Sequence, residues 1–217
     1  MGNLSCGTPI AKINTDKITT IPNDELIIID IEKINHNERE LYSKNKLIFD
    51  FLNYTYNLTP KFNEALNNKF LVARVVDIYD GDTLTCVINI YDDYFLFNIR
   101  LGDIDTCEMK SKNVKCKEKA HQAQNCLYEL VTKKTNDNID ISRKDLRSLL
   151  ESQVYLVNIL CGTLDKYGRL LGWIFDLDDL SQDKSKSFNQ ILVDKKLAYL
   201  YKGDTKLTEE EQLKLFN

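Results

Sequence analysis

The stretch "FLVARVVDIYDGDTLTCVINIYDDYFLFNIRL", residues 70–101, decides the fold. Residues 70–79 and 83–90 are β-branched and apolar, and the "DGD" between them is tight-turn chemistry, so the pair predicts a hairpin. After "YDD", residues 94–101 read as a third strand, which makes an antiparallel meander. Downstream, Cys116, Ala120, Ala123, Leu127, Leu130 and Val131 recur at helical spacing and predict an amphipathic helix to about Lys133. A polar insert, "KKTNDNIDISRKD", then loosens the chain. "QVYLVNIL" and "RLLGWIFDL" read as strands four and five, separated by "CGTLDKYG". "SFNQILVDKKLAYLY" reads as a second helix, and a short acidic helix is expected from Leu207. Five short strands with a helix between the third and fourth predict an α+β, mainly β chain: a five-stranded OB-fold barrel with flanking helices. An open α+β sandwich fits the same pattern.

Upstream the character changes. Residues 1–67 are rich in Asn, Lys and Ile, hold all three prolines, and read as an N-terminal extension to a domain spanning residues 68–217. Leu26–Ile31 suits a strand, and "ERELYSKNKLIFDFLNYTY" suits a helix. At 43% hydrophobic and 29% charged, the composition is that of a soluble globular protein. The longest apolar runs fall far short of the ~20 residues that span a bilayer. No basic segment followed by an apolar run marks secretion. Six scattered cysteines without CxxC pairs read as free thiols in a reducing compartment, so an intracellular, cytoplasmic monomer is expected. The Cys107, Cys116, His121 spacing matches no usual zinc pattern. A net charge of −4 argues against coating nucleic acid by bulk electrostatics, but it leaves room for a nuclease with local cations. The run Lys110, Lys112, Lys115, Lys117 and Lys119 suits either a solvated face or a polyanion contact.

Four segments carry chemistry: "DGDT" at 80–83 on the hairpin turn, "RLGDIDTCE" at 100–108 leaving strand three, "DKYGR" at 165–169, and "AYLYK" at 198–202. Three carboxylates within nine residues raise one another's pKa, a cost that only a cation or a solvated loop relieves. Each segment alone is common, but their order and spacing resemble the staphylococcal (thermo)nuclease family over roughly residues 68–205. The resemblance implies an OB-fold barrel that hydrolyses DNA and RNA with calcium. It implies metal ligation by Asp82, Asp105 and Thr106, catalytic roles for Arg100, Glu108 and Arg169, and substrate contacts by Lys166, Tyr167, Tyr199 and Tyr201.

The chemistry of these residues agrees with that implication. Phosphodiester hydrolysis gathers negative charge in its transition state, so a site must supply fixed positive charge and an activated water. Asp82, Asp105 and a backbone carbonyl such as that of Thr106 are hard oxygen donors, and waters and a phosphate oxygen complete the 6 to 8 oxygens that calcium takes. Arg100 and Arg169 suit bidentate recognition of phosphate, and Glu108 is the candidate base. Two residues depart from the family pattern: Cys107 stands where proline is usual, and Asp103 where Gly or an aliphatic residue is common. The opening "MGNLSC" resembles an N-myristoylation signal at Gly2, with Cys6 as a second acyl acceptor and membrane association as the consequence. The competing reading for the whole chain is a catalytically inactive OB-fold module that binds nucleic acid or protein. A mere binding module has no need to keep Asp82, Arg100, Asp105, Glu108 and Arg169 together.

Overall fold

The computed structural model describes residues 46, 59, 61–135 and 142–216. The chain divides after Leu58 into two units, and the second, Thr59–Asn217, carries the barrel and its helices. Gly2, Cys6, the strand read at Leu26–Ile31 and the helix read over residues 38–56 lie outside the described residues, except Lys46, which is helical.

In chain order the elements are β1 (Phe70–Ile78), β2 (Thr83–Ile90), β3 (Asp93–Leu101), β4 (Ile104–Thr106), α1 (Val114–Thr132), α2 (Arg143–Glu151), β5 (Tyr155–Leu164), β6 (Leu170–Asp176), α3 (Phe188–Asp194), β7 (Ala198–Leu200) and α4 (Glu209–Phe216). Five strands close into a barrel in the order β1-β2-β3-β6-β5, with β3 and β6 parallel and the other pairs antiparallel. This is the expected OB-type barrel. Closure pairs every strand on both edges and rules out the open sandwich. Period-2 alternation sends Val75, Leu84, Cys86, Ile88, Ile99, Val157, Ile159 and Ile174 inward, all essentially buried. Each large aliphatic among them contributes roughly 1.5–3 kcal/mol of burial.

The meander forms as the turn residues dictate. Tyr91 and Asp92, at φ 54° and 69°, form the two-residue link between β2 and β3, a left-handed pair that matches the twist of a hairpin. α1 starts two residues before the expected Cys116, capped by Asn113, whose side chain accepts from the N–H groups of Lys115 and Cys116. It ends where Lys133 turns left-handed at φ 58°.

Two expectations need correction. The polar insert is not all loose, because its last residues open α2. Ser142 caps that helix by accepting from Asp145 N, and Leu146 and Leu150 face the core. Asp77 on β1 receives Arg143 and Arg147 of α2, each at 2.6 Å. The second correction concerns residues 187–201, which are not one helix. α3 stops at Asp194 in a Schellman turn, with Lys196 left-handed at φ 55°, Lys196 N donating to Val193 O and Leu197 N to Leu192 O. Ala198–Leu200 then runs as β7, antiparallel to β4, with Asp105 opposite Tyr199. A second small core gathers Cys107, Cys116, Ala120, Tyr199 and Phe216 beneath this pair. All five described cysteines are free and buried. No helix among the described residues is long and apolar enough to cross a membrane.

Candidate active site

The turn between β1 and β2 is built to hold one carboxylate still. Tyr79 N donates to Thr83 O at 2.8 Å, and buried Gln124 of α1 donates to the carbonyls of Ile78 and Tyr79 at 3.2 and 3.0 Å. Gly81 is required because a Cβ there would meet the Ala123 Cβ at 2.4 Å. Asp82, 6% exposed, is thereby aimed at the end of β3 and at β4. Its Oδ2 accepts from Thr106 N and from Thr106 Oγ1, both at 3.0 Å. Its Oδ1 faces Arg100 Nη1 at 2.5 Å. The other end of the same guanidinium, Nη2, meets Asp105 Oδ1 at 2.6 Å.

Asp105 is held from beneath as well as from the front. Tyr199 OH donates to its Oδ2 at 2.7 Å, and Lys206 Nζ lies 3.0 Å from its Oδ1. Lys206 also reaches Glu108 Oε1 at 3.1 Å. Asp80 completes the group by accepting from Asp82 N at 3.1 Å. Burial, and then the charge of Asp82, push Asp80 up to about 7. Burial works against the Arg100 charge, but Asp82 and Asp105 overcome it and hold that guanidinium above its ordinary pKa.

The facing wall is the turn between β5 and β6. Gly168 takes φ 78°, Asp165 Oδ1 accepts from Tyr167 N and Arg169 N, and Asp165 Oδ2 accepts Arg169 Nε at 2.8 Å and Nη2 at 2.7 Å. Burial opposes ionisation of Asp165, yet the N–H and guanidinium of Arg169 hold its carboxyl below the usual range. Tyr167 stands 72% exposed, with the Lys166 ammonium and the Arg169 guanidinium over its ring at 5.1 and 5.4 Å.

Between these walls lies a cleft of about 1120 Å³. Asp82, Arg100, Asp105, Thr106, Glu108, Lys166, Tyr167, Arg169 and Tyr201 all line it. Tyr199 does not line it; 6% exposed, it sits in the small core and touches the site through its hydroxyl. Tyr201 OH donates to Asp204 O at 2.8 Å. None of the lysines from 110 to 119 reaches the cleft, and Lys119 donates instead to Phe216 O. Cys107 is buried, and burial first, then Cys116, push its thiol up to about 12, so it is protonated and unreactive at neutral pH. Asp103 stands in a left-handed conformation at φ 63°, which Asp tolerates better than a branched residue.

Three contributors escaped the sequence reading. Asp80 was inside the quoted turn, and its position one glycine before Asp82 was the available signal. Asp165, likewise inside "DKYGR", positions Arg169. Lys206 had no signal, because it reaches Glu108 from 98 residues further along the chain.

Four carboxyl groups, Asp80, Asp82, Asp105 and Glu108, meet two cations, Arg100 and Lys206, so carboxylates outnumber cations by one while Asp80 keeps its proton and by two once it is lost, near neutral pH. That surplus sits where two walls of arginine and lysine invite an anion, a mismatch that a divalent cation removes. The donors are all hard oxygens, the set that calcium or magnesium takes. Among the described residues no three His, Cys, Asp or Glu side chains converge as a ready metal cage, so a cation here would keep several non-protein ligands. Residues 98–217, just over half of the chain, match the family model described as staphylococcal nuclease homologue. The match begins on β3, downstream of Asp82, so the place of Asp82 in the site rests on its bonds to Arg100 and Thr106. No curated protein matches the chain.

Proposed function

Since the chain belongs to the staphylococcal nuclease homologue family, we propose that its cleft hydrolyses phosphodiester bonds of DNA or RNA with calcium, at little sequence preference. The observation that carries this reading is the Asp82–Arg100–Asp105 chain of ion pairs, facing Arg169 across one cleft with Glu108 at its mouth. Asp82, Asp105 and the Thr106 carbonyl would hold the cation. When bound, calcium polarises a phosphate oxygen and makes a coordinated water more acidic.

The chain's own residues divide the remaining work. Arg100, kept charged by Asp82 and Asp105, presents a guanidinium that exchanges carboxylate for phosphate without changing protonation. Arg169 is oriented by Asp165, which takes its Nε and one Nη2 hydrogen and leaves three N–H groups for an anion. These donors are worth most where charge grows during reaction. Glu108, exposed at the mouth, has room for a water between its carboxylate and the substrate, and it receives that water's proton. Tyr199 fixes Asp105 from the dry side and so holds one wall of the site at constant geometry.

Digestion of single-stranded DNA in calcium, magnesium or chelator tests this. Cleavage in calcium that stops on chelation is expected. Equal cleavage in chelator removes the metal, and binding without cleavage under any condition returns the chain to the inactive binding module.

A further inference from the structure

The arginine on tyrosine at the β5–β6 turn has a counterpart on the other side of the cleft. Arg143, the first residue of α2, lays its guanidinium 4.6 Å from the ring centroid of Tyr79. Both residues line the cleft, and an aspartate orients this guanidinium too, with Asp77 Oδ2 accepting Nε at 3.1 Å and Nη2 at 2.6 Å. β1, which carries Asp77, is separated from β6 by β2 and β3. Because the barrel is closed, β5 alone lies between them on its other side, so the direct span is about two strand spacings, roughly 9–10 Å, which about three stacked nucleotides cover at ~3.4 Å each. The floor between the two pairs is polar, formed by Thr85 and Asn98, joined by a 3.0 Å hydrogen bond.

Arg143 is not alone in docking α2. Arg147 makes the same 2.6 Å contact to Asp77, and Arg74 holds the far end of the helix by donating to Glu151 O. Two half-exposed guanidiniums on one buried carboxylate leave a net positive charge at this edge of the cleft. An exposed cation stacked on an exposed ring is the pairing that binds a phosphate and an unpaired base together. We infer that Arg143 and Tyr79 form a second contact point for a single-stranded polynucleotide, with Arg143 on a backbone phosphate and the stack against a base several nucleotides from the reacting bond. This rests on the reading that the cleft takes a polynucleotide.

The test is fluorescence anisotropy of labelled dithymidylate and octathymidylate in chelator, on the full chain. Arg143→Ala and Tyr79→Leu should each weaken octamer binding about tenfold and leave the dimer unchanged. Arg147→Ala, which removes the same partner of Asp77 outside the cleft, should leave both within twofold. Arg143→Ala should also lower the slope of log affinity against log salt by about one. Equal octamer affinity for Arg143→Ala and Arg147→Ala overturns the inference. If Arg143→Ala does not fold, Tyr79→Leu, which spares both ion pairs of Asp77, decides it alone. Octamer binding lost in the variants, with no cleavage by the wild type in calcium, keeps this contact and removes the phosphodiesterase reading. Absence of octamer binding by the wild type overturns this inference, and cleavage in calcium then decides the phosphodiesterase reading by itself.

Discussion

Replacing Arg169 with lysine separates a phosphate clamp from a turn residue. Arginine offers five N–H groups, and Asp165 takes two of them, at 2.8 and 2.7 Å, leaving three in a fixed plane over the cleft. A lysine ammonium keeps the charge, but Asp165 holds it, and the fork toward the cleft is gone. If those three donors meet charge that grows during the reaction, kcat should fall by about 10²–10³, or ~3–4 kcal/mol. KM should change by less than about threefold, because the loss is confined to the transition state. Stability should barely move, since the pair with Asp165 is partly solvated and worth less than ~1 kcal/mol. Steady-state hydrolysis of a single-stranded oligonucleotide in calcium, with a thermal melt alongside, reads all three quantities. A folded variant with near wild-type kcat, or one whose whole loss lies in KM, refutes the argument.

Tyr199→Phe removes the 2.7 Å donor to Asp105, a bond to a charged group worth about 1.5–3 kcal/mol, and should lower both the melting temperature and kcat, whereas a purely packing role would leave kcat alone. Lys206→Met frees Asp105 and Glu108 of a half-exposed competitor for a cation, so the calcium needed for half-maximal activity should drop about two- to fivefold in a calcium titration. Asp77→Asn should cost about 1–2 kcal/mol at pH 7 in denaturant melts. Burial opposes the charge of Asp77, but Arg143 and Arg147 hold its carboxyl below its ordinary 3.8, so its stabilisation is full above that pH and is lost as pH falls through the folded value. The gap between wild type and Asp77→Asn should therefore close in acid, and a constant gap from pH 7 down to pH 2 would contradict it.

The parts of this fold that were legible are those whose signals are local. Turn residues bracket β1 and β2, and the four motifs sit on turns or strand ends whose chemistry is written in five to nine consecutive residues. What escaped depends on partners distant in sequence or on a residue in an unfavourable conformation. α3 looked longer because its stop is a left-handed lysine, Lys196, rather than the glycine that usually marks a Schellman turn. With that stop hidden, Tyr199 read as the end of a helix and a substrate contact, whereas pairing with β4 turns it inward beneath Asp105. α2 carried a usable signal, a Ser142 cap with Asp145 three residues on, but it was masked by the polar run that precedes it.

The closed barrel has a kinetic corollary. β1 finds β2 across a short turn, but its other edge waits for β5, whose pairing residues come 80 to 90 positions later. Such distant pairings form late, because the chain entropy of the intervening loop is lost before the contact is gained. Asp82 on the meander and Asp105, five residues beyond Arg100 of β3, therefore come together early, while Arg169 needs β6, and Tyr199 and Lys206 need β7. A chain caught halfway holds its carboxylates against Arg100 alone, and the wall that bears Arg169 is still missing. Refolding should thus return fold and activity in the same slow phase, since the distant pairings of β5, β6 and β7 that complete the fold also complete the site.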